Sequence, residues 1–333
     1  MEEKKKSRNF APLIPPHLSS EKDEVQQGGT FFNFKSIMKY NKQALDIPAQ
    51  LAQLQQRGLM ITDLTKAAQF LNNVSYFRFA AYLRPLEANA IHQFKAGSTF
   101  EQAEALYTFD AELRKILFAA IQRIEISLRS RVIHQFSLSH GPFWFYDASL
   151  TVSKYKFAEN LAALERELKR TKEDFIAEHI AKYGDEDFPP AWKMLEVISF
   201  GTLTKLYINS SDTQAKKMIA RSFDVKQAEV LESWMKSIVA LRNTCAHHGR
   251  VWNRIMLKIP QLLNSPTGKW IINTHIDPKR FYAVACCTAY WLNNIDPTNT
   301  FIKDIKRLLR KYQIVDPAAM GFPCGWKKEP IWK

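Results

Sequence analysis

The stretch that decides the fold is Thr99–Phe136, TFEQAEALYTFDAELRKILFAAIQRIEISLRSRVIHQF. Leu106, Phe109, Leu113, Leu117, Ala120, Ile121, Ile124 and Leu128 recur every three or four residues. That period lines apolar side chains along one face of an α-helix. Thr99 opens the pattern, and Glu101 puts a carboxylate in the first turn, where the helix dipole favours it. The opposite face carries Arg114, Lys115, Arg123, Arg129 and Arg131, with Glu125 among them. Such a stripe is either a track for phosphates or an ordinary solvated face.

Helical signals extend in both directions from this stretch. Upstream, residues 44–58 form a short helix with Asp46 as its cap, Pro48 in the first turn and Gly58 at the exit. Asp63 caps a second helix, with Leu64, Ala67, Ala68 and Leu71 at helical spacing. Tyr76, Phe77, Phe79, Tyr82 and Leu83 follow, interleaved with Arg78 and Arg84. These aromatics serve either the core or base stacking. Downstream, Gly141-Pro142 makes a turn, and residues 154–182 read as one charged, peripheral helix. Pro189-Pro190 opens an element over Ala191–Ile198, which Gly201 separates from Leu203–Ile208. Helices follow over 212–222, 225–248, Lys279–Leu292 and Phe301–Tyr312. The tail, Gly321–Lys333, holds two Trp and two Pro and is expected to wrap a surface. Residues 1–35 read as a loosely ordered extension. No strand alternation and no fixed-period repeat occurs. The expected fold is all-α, a multi-helix bundle.

The charge narrows the range of partners. There are 47 basic and 33 acidic residues, a formal net charge of +14 and a pI near 9.5. This excess favours a polyanion. No run approaches the ~18 apolar residues that a membrane helix needs, and no signal-peptide pattern follows the charged start. Cys245, Cys286, Cys287 and Cys324 form no Cys-x-x-Cys pair, so neither a zinc site nor a disulfide framework is indicated. A cytoplasmic protein without a cofactor or metal is expected.

Ala240–Arg254, ALRNTCAHHGRVWNR, is where chemistry is concentrated. Arg242, Arg250 and Arg254 supply guanidiniums, which bind phosphate bidentately. His247 and His248 supply imidazoles, which exchange protons near neutrality. Arg242 and His247 make an Arg-x4-His pattern. Five residues turn a helix by about 500°, leaving the two roughly 140° apart. They converge only if the helix end deforms or two chains meet. Gly249 is the expected helix stop, and Asn243 shares a face with His247 and is placed to orient it. The bland alternative for His247 is a helix-terminal histidine that interacts with the dipole. The pattern recurs as Arg129–His134, so spacing alone is not specific. His134 lies in an apolar run and reads as a packed structural histidine.

The segment Leu241–Arg254 resembles the bacterial Abi-like (abortive infection) proteins of the AbiD and AbiF type. The resemblance extends through Gln56–Leu59, Tyr76–Tyr82, Leu106–Asp110, Arg123–Arg129 and Phe200–Leu203, over about residues 36–315. That family is placed in the HEPN superfamily, whose active members are metal-independent ribonucleases with an Arg-x4–6-His motif. The resemblance implies a helical domain over 36–320 with a HEPN-like core at about 100–315. It also implies an endoribonuclease toxin of phage defence, restrained by an RNA or protein antitoxin and active as a homodimer. Arg242, Asn243 and His247 match the motif. Glu125 and Arg129 match the charged helix beside the site, with Glu125 supporting. In the mechanism expected from this, His247 and His248 move protons, while Arg242 and Asn243 complete the catalytic set. Arg250, Arg254, Arg129 and Arg123 bind RNA. A non-catalytic RNA-binding module and a sensor or interaction protein are the competing classes.

Overall fold

The computed structural model describes residues 43–89, 91–183 and 187–333. The expected extension over 1–35 and the first residues of the helical domain lie outside these. Leu45–Lys333 forms one compact unit. Its α-helices are α1 Ile47–Gln56, α2 Leu64–Asn73, α3 Tyr76–Leu83, α4 Phe100–His140, α5 Lys154–Arg170, α6 Asp174–Lys182, α7 Ala191–Val197, α8 Phe200–Asn209, α9 Thr213–Ser222, α10 Ala228–Ala246, α11 Phe281–Ile295 and α12 Phe301–Lys311. Among the described residues there are short 3-10 helices and isolated bridges beside them, and no strand. The fold is an all-α bundle, and no described helix is long and apolar enough to cross a membrane.

α4 is the axis of the bundle. At 41 residues it runs about 60 Å, and α3, α7, α8, α9, α10, α11 and α12 all pack on it. Thr99 and Gln102 form a reciprocal capping box at its start, which satisfies two otherwise orphaned amides. Gly141, at φ +82°, ends it. His140 in its last turn meets Asp212 at 2.7 Å, and Asp212 also caps α9 through the Ala215 amide. α1 and α2 keep the expected caps, Asp46 to Ala49 and Asp63 to Lys66.

Several expectations are corrected. Residues 154–182 are two helices, because Thr171–Glu173 turns extended after α5. The break after α7 falls at Ile198–Ser199. Ser199 caps α8 through the Thr202 amide, and Gly201 lies inside that helix. The basic face of α4 is not one stripe. Arg114 and Arg129 are buried, Arg131 reaches the carbonyl of Ser222 at the end of α9, and Arg123 pairs with Asp296. Helical rotation sends these residues to different neighbours. The tail is also no surface strap. Phe322, Trp326, Ile331 and Trp332 are buried. Trp332 stacks on Tyr282 and donates its indole N–H to the Cys286 sulfur at 3.3 Å. α11, buried at every position from Phe281 to Leu292, needs that cover, since a helix apolar on all sides must be enclosed.

Candidate functional site

α10 buries Leu231, Trp234, Met235, Ile238, Leu241 and Cys245, an apolar stripe at helical spacing. Asn243 comes out exposed, and Arg242 half-buried. The helix ends with two paired bonds: the His248 amide to the Cys245 carbonyl at 3.0 Å, and the Gly249 amide to the Thr244 carbonyl at 2.7 Å. This is a Schellman closure. The residue in the left-handed position is His248, at φ +54°, not Gly249 as the sequence leads one to expect. Gly249 is favoured for a different reason. A Cβ there would lie 3.1 Å from Thr244 Cγ2 and 3.2 Å from its carbonyl oxygen. Left-handed backbone costs a non-glycine residue about 1–2 kcal/mol, so His248 is held against its preference. His248→Gly is expected to stabilise the fold by about 1 kcal/mol. Chemical denaturation checks this, and a lower midpoint would mean that the imidazole makes contacts outweighing the strain.

The turn that follows is tied to a carboxylate that the sequence reading passed over. Asp110, on α4, is fully buried. It accepts from the backbone amides of Trp252 (2.6 Å) and Val251 (3.1 Å), and from the Tyr82 hydroxyl at 2.6 Å. Its charge is paired with the Arg114 guanidinium, which also reaches the Gly249 carbonyl at 3.3 Å. Burial pushes the Asp110 carboxyl upward. The Tyr82 hydroxyl, the Arg114 charge and the two amides all pull the other way. α3 adds two further ties: Arg78 donates to the His248 carbonyl at 2.5 Å, and Arg250 donates to the Ala81 carbonyl at 3.3 Å. Tyr82 stacks on Trp252. The turn closes at Asn253, again left-handed at φ +47°, whose side chain accepts from Arg280.

The structure brings some of the predicted residues together and separates others. His247 and His248 are exposed on this clamped turn. Arg242 sits one turn back and lines a cleft of about 390 Å³ with Phe118, Gln122, Glu125, Arg129 and Glu196. Its described side-chain contact is with Asn243, at 3.5 Å. The helix stays regular to Ala246, so Arg242 and His247 diverge on one chain by roughly 140°. Glu125 and Arg129 do lie beside Arg242, and they pair with each other at 2.7 Å. Arg129 is spent on structure, donating to the Leu195 and Ile198 carbonyls at the end of α7. Arg123 is elsewhere, in a cleft beside the α11–α12 connection. Arg254 folds back onto the Arg250 carbonyl. His134 is exposed rather than packed, because Val132, Ile133 and Phe136 take the core positions around it. Cys245 offers no nucleophile, since burial pushes its thiol up to about 12. No group of three or more His, Cys, Asp or Glu among the described residues is placed to hold a metal ion.

A family model for Abi-like proteins matches residues 69–253, more than half of the chain. The chain belongs to the Abi-like family. Neither a curated protein nor a solved structure gives a significant match. Membership points to abortive infection and phage defence. The Abi-like match begins late in α2 and ends at Asn253, the residue that closes the clamped turn. It therefore includes Asp110, Arg114 and Tyr82 along with Arg242, His247 and His248, and leaves out α11, α12 and the tail. Asp110 ends the Leu106–Asp110 block of the resemblance, and its physical trace in the sequence is a carboxylate interrupting the apolar face of α4, with an arginine four residues on.

Proposed function

We propose that this Abi-like protein is an endoribonuclease toxin of the HEPN type, cutting RNA without a metal at a site shared between two copies of the chain. The observation that carries this reading is the clamped turn. Five ties from α3 and α4 hold two exposed imidazoles one helical turn beyond a half-buried guanidinium, on a chain of net charge +14. The ties anchor the buried side of the turn, at Val251 and Trp252, and so fix the exposed imidazoles beside it, which makes sense where side-chain position matters to a reaction.

In the proposed reaction the ribose 2′-hydroxyl attacks the adjacent phosphorus and the 5′-oxygen of the next nucleotide leaves. One imidazole accepts the 2′ proton and another group returns a proton to the leaving oxygen. His247 and His248 are the candidates for these two roles. Arg242 neutralises charge growing on the phosphorane oxygens, and Asn243, in contact with it, orients the guanidinium. Arg250 and Arg254 take flanking phosphates. Arg129 drops out of the RNA-binding set because it is buried on the carbonyls at the end of α7, and Arg123 because it lies in the other cleft, paired with Asp296. An antitoxin partner fits the toxin reading.

The test is end-labelled single-stranded RNA incubated with the full chain and excess EDTA. The expected products carry 2′,3′-cyclic phosphate ends, and the matching DNA, which lacks the nucleophile, stays intact. Loss of cleavage on chelation, or cleavage of the DNA, rules the mechanism out. Tight binding with no product selects the non-catalytic RNA-binding class. That class is favoured by one observation, the divergence of Arg242 and His247 within a single chain.

A further inference from the structure

We propose that Phe77 is a stacking platform for one unpaired base of RNA beside the His247–His248 turn; the proposal rests on RNA being the ligand of that site. Aromatic residues on α3 are otherwise absorbed by packing. Phe79 lies against Phe70 and Phe100, Tyr82 against Tyr107 and Trp252, and the Tyr76 hydroxyl accepts from Arg57. Phe77 alone of the four stands free, 91% exposed. Scattered exposed aliphatics need no explanation, but a whole phenyl ring held in water on a helix pinned to the candidate site is a different matter.

The pinning fixes where that ring stands. Arg78, the next residue, reaches the carbonyl of His248. Ala81, four residues on and therefore on the same face as Phe77, accepts from Arg250. Arg84, one further turn along that face, is exposed. α3 carries no acidic residue. An aromatic face flanked by guanidiniums is the combination that holds single strands, with the base on the ring and the backbone on the charges. Every base has a π-face, so the platform is indifferent to sequence. A base inside a duplex has both faces covered and cannot use it.

The experiment uses the full chain carrying His247→Ala, so that RNA survives, with Phe77 as Phe, Trp, Leu or Ala. Binding is measured by fluorescence anisotropy on a labelled single-stranded RNA and on the same strand annealed to its complement. Phe77→Ala is expected to weaken single-strand binding about fivefold or more and to leave duplex binding within a factor of about two. Trp should restore affinity and Leu should not. The thermal midpoint should not move, since the ring is almost wholly exposed. Equal affinity of the Phe and Ala forms, equal loss on both RNAs, full rescue by Leu, or no RNA binding by the Phe form would each overturn the platform. Failure of the nuclease reading looks different: the chain with intact His247 binds single strands through Phe77 yet makes no product.

Discussion

His247→Ala and Arg242→Ala are each expected to lower RNA cleavage by about 10²–10⁴-fold, the span attributed to one proton-transfer group or one charge-stabilising donor. Each chain should still fold, because His247 is exposed and Arg242 makes one long side-chain contact. The stronger test mixes the two inactive chains. On the regular end of α10 the two side chains point roughly 140° apart, so the proposed site draws Arg242 from one copy and His247 from the other. In a mixed dimer one composite site keeps both groups and the other loses both. Half of randomly assorted dimers are mixed, with one intact site of two, so the mixture should regain about a quarter of wild-type activity. A mixture as dead as its components shows that the site is not assembled in this way, and single variants that cut at the normal rate remove both residues from the reaction.

How far all this could be foreseen depends on which forces act locally. α4 was legible because its apolar period is intrinsic to the segment, as were the Asp46, Asp63 and Thr99 ends, where a side chain bonds an amide three residues on. The fate of the charges on α4 was not legible. Arg129 is buried against carbonyls more than sixty residues away, and the half-buried Arg131 bonds the end of α9, so their partners exist only in the folded chain. The tail misled for the same reason. Trp and Pro in a short irregular segment look like surface, and only the enclosed α11 explains why Trp332 is inside. Near the candidate site, the helix end after α10 was foreseen, along with the divergence of Arg242 from His247. The left-handed residue was misplaced by one, because glycine is the usual occupant and His248 takes the position while Gly249 answers a close approach.

Asp110→Ala is expected to destabilise the protein by about 3–5 kcal/mol, the cost of leaving one member of a buried ion pair unmatched, and to lower the thermal midpoint by on the order of 10 °C. The substitution strands the Arg114 guanidinium, the Tyr82 hydroxyl and two backbone amides at once, and buried donors without acceptors are costly. A compensated variant separates stability from function. Asp110→Leu with Arg114→Met removes both charges and fills the space, and such replacements often recover stability. It should melt well above Asp110→Ala, yet the amides of Val251 and Trp252 still lack their acceptor, so the turn carrying His247 and His248 loosens. Displacing a reacting group by about 1 Å costs roughly 10²-fold, and cleavage by the compensated chain should fall by that order while its midpoint recovers. A compensated chain that is both stable and fully active would show that the clamp serves folding alone. An Asp110→Ala chain melting within about 1 °C of wild type, under 1 kcal/mol for a chain of this size, would show that the carboxylate does not carry the turn.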